Sequence, residues 1–281
     1  MMMNTTVHGY HPEKSLIRRA RRLLNRMPPI RNAIIYGLSK GKDPRVTRNW
    51  VRFPMYHDIP PRDRGGFERQ LEYMKTIGEF LTVDDAVGLL EKGDPIDGRY
   101  ICVTFDDGLE ACHSNALPIL QRLGVPAVFF VVAKWVNQAS DPSALDGKGT
   151  EDLGPAGLGY LTWAQCRAMS EGGMTIGSHT YSHRNLWTLG DDEVREALEK
   201  SKRVIESNLQ MECRHFACPW GQPNEAFKPE RDPELARSVG YRSFFTTVRG
   251  RGNEESSVYL LPREKVEPEW GTYHLKYFFS L

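Results

Sequence analysis

Short, unbroken apolar runs alternate along this chain with longer segments whose apolar residues recur every three or four positions. The runs are Trp50 to Tyr56, Arg99 to Phe105, Pro126 to Val132, Met174 to Ser178, Arg214 to Cys218, Tyr241 to Thr246 and Val258 to Leu261. Lacking polar alternation, they predict strands covered on both faces, as in a parallel sheet. Between them, Phe67, Leu71, Met74 and Ile77 predict a helix that stops at Gly78, and Phe80 to Val83 a short strand. Asp84 to Lys92 and Ala116 to Leu123 predict helices ended by Gly93 and Gly124. Thr162-Trp163-Ala164-Gln165 opens another with a capping box, and Val194, Leu198, Val204 and Ile205 line one face of a long one. Strand and helix in turn predict an α/β fold, a β/α barrel whose chemistry gathers at strand ends. Residues 137–160, rich in glycine and acid, are too long for an ordinary connection and predict a substrate-facing flap or disordered loop.

The first 45 residues follow a different pattern. Leu16, Ile17, Ala20, Leu23, Leu24 and Met27 recur at helical spacing, flanked by Arg18, Arg19, Arg21, Arg22 and Arg26 until Pro28-Pro29. Residues 1–50 hold eleven Lys or Arg against Glu13 and Asp43, a net of +9 that leaves −8 on the rest, although the whole chain carries only +1. A basic amphipathic extension, residues 1–45, is therefore expected ahead of a barrel unit, residues 46–281. Residues 14–27 suit peripheral contact with an anionic membrane, or packing on the barrel with the arginines in water. No aromatic platform accompanies the charge, so nucleic acid is not an expected partner. The five cysteines are odd in number and form no Cys-x-x-Cys pair, which argues against a disulfide framework or zinc knuckle. No signal-like apolar run opens the chain, and a cytoplasmic setting is expected, at the inner membrane face if the extension binds lipid.

Candidate chemistry sits at two of the predicted strand ends. Asp106-Asp107-Gly108 ends the second long run, and adjacent carboxylates at a partly buried site repel unless a cation joins them. The same tripeptide is also a common surface turn. His179 and His183, four residues apart after another run, can present both imidazoles to one ion. One carboxylate with two imidazoles leaves coordination positions open, which is the layout of a catalytic metal centre rather than a closed structural one. His57 ends a third run and is either structural or part of the same pocket.

Thr104-Phe105-Asp106-Asp107-Gly108 and Ser178-His179-Thr180-Tyr181-Ser182-His183 resemble the first two motifs of the polysaccharide deacetylases, the NodB-homology domain of carbohydrate esterase family 4. Met55-Tyr56-His57-Asp58 resembles the Met-Tyr-His start of one branch, Phe216-Ala217-Cys218-Pro219-Trp220-Gly221 its third motif, and Leu261-Pro262-Arg263 a late element. The resemblance covers about three quarters of the chain and implies a distorted, incomplete (β/α)7-type barrel. It also implies hydrolysis of an N-acetyl group from an amino sugar of a glycan or glycan precursor, in cell-envelope polysaccharide or lipopolysaccharide biosynthesis. The implied cofactor is one divalent metal, Zn2+ with Co2+, Ni2+, Fe2+ or Mn2+ as alternatives, on Asp107, His179 and His183. Asp106 is the implied base, Trp220 marks the oxyanion N–H, and Pro219 and Tyr181 stand near the substrate. Two departures matter. Ala217 replaces an arginine that orients the base in many members, so Arg263 is expected to reach that carboxylate from another strand end. The Leu-x-His general acid is missing, which leaves His57, ahead of His274, as the expected acid. A deformylase or O-acetyl esterase on a lipid-linked sugar would use the same centre, and a catalytically silent glycan-binding or assembly protein would keep the barrel alone.

Overall fold

The computed structural model describes residues 27–141, 143 and 158–281. The basic helix expected over residues 14–27 and most of the expected flap lie outside the described residues. Among the described residues there are ten strands: β1 (Trp50–Arg52), β2 (Pro54–Tyr56), β3 (Glu79–Phe80), β4 (Arg99–Ile101), β5 (Val103–Phe105), β6 (Ala127–Val131), β7 (Thr175–Ser178), β8 (His215–Ala217), β9 (Ser243–Phe245) and β10 (Glu264–Lys265). The helices are α1 (Pro28–Ser39), α2 (Arg64–Lys75), α3 (Val83–Lys92), α4 (Leu117–Leu123), α5 (Ala133–Ser140), α6 (Trp163–Glu171), α7 (Asp191–Leu209), α8 (Asp232–Ser238) and α9 (Thr272–Phe278). Seven strands form one parallel sheet in the order β10-β2-β5-β6-β7-β8-β9, curled into a half-barrel with helices outside it. All seven therefore end at one rim.

Both faces of this sheet are covered, which is why the runs show no alternation. In β6, Ala127, Phe129 and Val131 pack toward the helices, whereas Val128 and Phe130 join Phe53, Cys102, Ala217, Phe245 and Leu261 inside the curl. Phe53 meets Phe245 edge-on at 5.0 Å, so aromatic packing bridges the gap between the first and last strands. The backbone helps there too, with a parallel bridge from Phe245 to Leu261.

Three expectations need correction. The runs at residues 50–56 and 99–105 each break into two strands, because β4 pairs with β1 and β3 in a separate small sheet while β2 and β5 enter the large one. Continuous apolar character marks burial and cannot mark a change of sheet. Val258 to Leu261 forms a turn ending in a single bridge, and the strand in that region is the charged pair Glu264–Lys265. The expected loop over 137–160 begins only after α5, whose Trp135 and Val136 are buried.

Local signals otherwise hold well. Thr162 caps α6 and shares a reciprocal capping box with Gln165. Gly93 and Gly124 close α3 and α4 in left-handed conformation. At the N-terminus, α1 docks against the C-terminal α9: Tyr36 meets Tyr273 edge-on at 5.5 Å, and His274 lies 3.1 Å from the Asn32 side chain.

Candidate active site

At the rim, β5 delivers two carboxylates that take opposite directions. Asp106 is buried and turns into the curl; Asp107 adopts a left-handed backbone, φ 71°, and turns toward the loop after β7. Asp107 Oδ1 lies 3.5 Å from His179 Nε2 and 3.4 Å from His183 Nε2. These donor atoms all fall within 4.8 Å of one another, forming an Asp-His-His cluster that can hold a metal ion.

The tautomer supports that fit. His179 Nδ1 is 2.7 Å from the Ala217 carbonyl, which can only accept, so Nδ1 carries a proton and Nε2 is the nitrogen left to offer a lone pair to a cation. Burial, reinforced by His179, lowers His183 to about 3, so this ring is neutral around pH 7. Two imidazoles against a carboxylate, with a lone pair on His179 facing it, make a donor set for a cation. An N,N,O set of this kind suits a divalent metal with open positions.

Asp106 has a different partner. Arg263 Nη1 and Nη2 donate to Asp106 Oδ1 and Oδ2 at 2.6 and 2.8 Å, and Nε donates to the Thr246 carbonyl at 2.8 Å. Burial would raise the Asp106 carboxyl, but the charge and hydrogen bonds of the Arg263 fork outweigh it and hold the group at about 2. Arg263 thus reaches the Asp106 carboxylate as expected, although it leaves the chain just before β10, at the opposite end from the other site residues. It crosses the interior with its guanidinium 5.6 Å from the Phe130 ring. Ala217 leaves room at the site that the resemblance gave to an arginine, and its carbonyl orients His179 instead.

Tryptophans line His183 on two sides, Trp220 at 4.5 Å and Trp135 at 5.2 Å between ring centroids. Trp220 is half exposed, and among the described residues its backbone N–H has no acceptor, as an oxyanion donor requires. Pro219 is buried beneath it and accepts from Gly221 N at 2.6 Å. His57 follows β2 directly and lines a cavity of about 420 Å³ with Asp58, Arg62, Asp63, Lys265 and Glu267.

Tyr181 is not brought to the cluster. Thr180 has φ 65°, and the following tyrosine ring lies under Lys200 Nζ of α7 at 4.0 Å, packed on the core. His274 is likewise remote, buried in α9 and stacked on Trp270 at 4.8 Å. Trp135 and Tyr160, which pack at 4.8 Å beside His183, went unmarked in the sequence. A tryptophan on an amphipathic helix reads as core, and only the closeness of the helix to a rim could have flagged it. Left-handed backbone at Asp107, Thr180, His183 and Trp220 concentrates strain around this one centre.

The family model for polysaccharide deacetylase matches residues 93–244. A putative polysaccharide deacetylase of Bacillus subtilis, YxkH, is 24% identical over 220 residues, covering 76% of this chain and 70% of that protein. A poly-beta-1,6-N-acetyl-D-glucosamine N-deacetylase of Staphylococcus aureus is 22% identical over 228 residues, 75% of this chain and 72% of that one. The solved structure of IcaB from Ammonifex degensii superposes with a TM-score of 0.67 at 23% identity, covering 83% of this chain and 98% of that one, and it shares the curled half-barrel. With over half its length matched by the family and the same sheet beneath the matched motifs, the chain belongs to the polysaccharide deacetylases.

Proposed function

We propose that the protein is a metal-dependent hydrolase that removes N-acetyl groups from the amino sugars of a glycan, in cell-envelope polysaccharide synthesis. The observation that carries this reading is the division of labour between neighbours: Asp107 faces two imidazoles while Asp106 is held apart by Arg263. The family acts on amide bonds of N-acetylated sugars. The Staphylococcus aureus relative is named for poly-beta-1,6-N-acetyl-D-glucosamine, which makes a β-1,6-linked N-acetylglucosamine oligomer the first substrate to try.

Asp107, His179 and His183 would hold the cation, and the nitrogen-rich set favours Zn2+, with Co2+, Ni2+, Fe2+ or Mn2+ able to replace it. When bound, such an ion polarises a carbonyl oxygen and lowers the pKa of water from about 16 toward about 7. Asp106, ionised and aimed by Arg263, takes the proton of the attacking water. The Trp220 N–H donates to the oxyanion of the tetrahedral intermediate. His57, whose side chain has no hydrogen-bond partner among the described residues, protonates the departing amine.

The test is acetate release from N-acetylglucosamine oligomers by the full chain, with Asp106→Asn as control. Release that a chelator abolishes, Zn2+ restores and the control lacks supports the proposal. Formate from N-formyl sugars, or acetate from O-acetyl sugars alone, would reassign the acyl group. His57→Ala with undiminished turnover would remove that residue as the acid.

A further inference from the structure

The chemistry above leaves the phenol of Tyr160 unused, although only the Trp135 ring stands between it and His183 of the metal cluster. Tyr160 is 9% exposed, and its hydroxyl is buried with no hydrogen-bond partner. Its ring packs at 4.8 Å on Trp135, which packs at 5.2 Å on His183. The backbone fixes this placement: Tyr160 forms an antiparallel bridge with Leu109, flanked by Glu110 N donating to the Gly159 carbonyl and Leu161 N to the Gly108 carbonyl, both at 2.9 Å. A strand-like clamp therefore ties Tyr160 to the turn that carries Asp107.

Burial and the nearby Asp107 charge push the phenol up to about 12, so it stays protonated and can donate. A buried hydroxyl without a partner is costly, and phenylalanine would fill the same space without that cost. Among the described residues the Asp107 carboxylate accepts no hydrogen bond, whereas His179 is oriented through its outer nitrogen by Ala217. Metal-binding carboxylates and imidazoles depend on such outer partners for their orientation. Asp107 lacks one and Tyr160 has a donor to spare.

We propose that Tyr160 is the positioning residue for Asp107, its hydroxyl donating to that carboxylate in the metal-loaded protein and thereby strengthening cation binding. The assignment rests on the reading of Asp107, His179 and His183 as the metal site.

The experiment compares metal-stripped wild type with Tyr160→Phe, titrating Zn2+ against a competing chelator and recording the thermal midpoint of each metal-free protein. The expected result is Zn2+ affinity weakened by roughly 10- to 100-fold in Tyr160→Phe, with a metal-free midpoint equal to or above wild type. Unchanged affinity would overturn the assignment. A lowered metal-free midpoint with unchanged affinity would do the same, by showing that the hydroxyl serves the fold. Wild type that binds no divalent cation would overturn the metal-site reading, and this assignment with it.

Discussion

Arg263 offers the sharpest test of the site's construction, because one contact serves both stability and activity and a double substitution separates the two. Its guanidinium is fully buried and forks onto a carboxylate that is 2% exposed, so bulk solvent does not reach either partner. Replacing one member of such a pair strands the other charge in a low-dielectric interior, at a cost of about 3–5 kcal/mol. Against a total stability on the order of 5–15 kcal/mol, that is a large fraction. Arg263→Met and Asp106→Asn should therefore each lower the urea midpoint of the metal-free protein. The double variant removes both charges together and should be more stable than either single one, because a buried pair replaced by neutral groups costs little. Turnover should not follow this recovery, since the amide introduced by Asp106→Asn cannot accept a proton from water. Arg263→Lys provides a milder probe: it keeps the charge but loses the planar fork and the Nε bond to Thr246, and should lose at least tenfold in kcat with little change in KM. Simple additivity, with the double variant destabilised by the sum of the two singles within about 0.5 kcal/mol, would refute the argument that these charges neutralise one another.

The remaining predictions concern backbone, titration, metal and membrane. Gly221 has φ 54°, and a Cβ there would lie 2.6 Å from Thr247 N, so Gly221→Ala should displace Trp220 and abolish turnover, measured beside a thermal melt. Burial raises the Glu264 carboxyl to about 7 although Arg249 and Arg52 lie against it. The folded chain thus keeps a proton that the unfolded chain releases near 4.5; the resulting stability is complete below that pH and lost as pH rises through about 7. Relative to Glu264→Gln, metal-free wild type should lose about 3 kcal/mol across that window in urea unfolding, and a flat difference would refute this. His179→Ala should bind no Zn2+ at concentrations that saturate wild type, measured by metal analysis after gel filtration. If residues 14–27 contact an anionic bilayer, the full chain should sediment with phosphatidylglycerol vesicles at low salt and be released at high salt.

What the sequence made legible was chemistry that short spacing encodes, and what it hid were contacts made across the barrel. A carboxylate pair at a strand end and two imidazoles four residues apart are constrained by ligand chemistry, so residue type and interval suffice to find them. The sheet direction then brings Asp107 to His179 without any further signal, because parallel strands must end together. Tyr181 shows where this reasoning fails: it lies inside the same motif, but a single left-handed residue before it reverses its direction, and no periodicity records a φ of 65°. Arg263 and Asp106 stand 157 residues apart, and neither run of sequence carries any mark of the other. The resemblance supplied a role in search of an arginine, and the fold supplied the path: the segment leading into β10 bridges β9 at Leu261, donates from Arg263 N to the Val248 carbonyl, and joins the β2 side at Glu264. Arg263 therefore stands where the chain spans the seam between the last strand and the first, and its side chain turns inward from there to the Asp106 carboxylate. The irregular segment that closes the half-barrel, which has no periodicity of its own, is thus what aims that carboxylate, and a regular strand in its place would have no reason to put an arginine at this point.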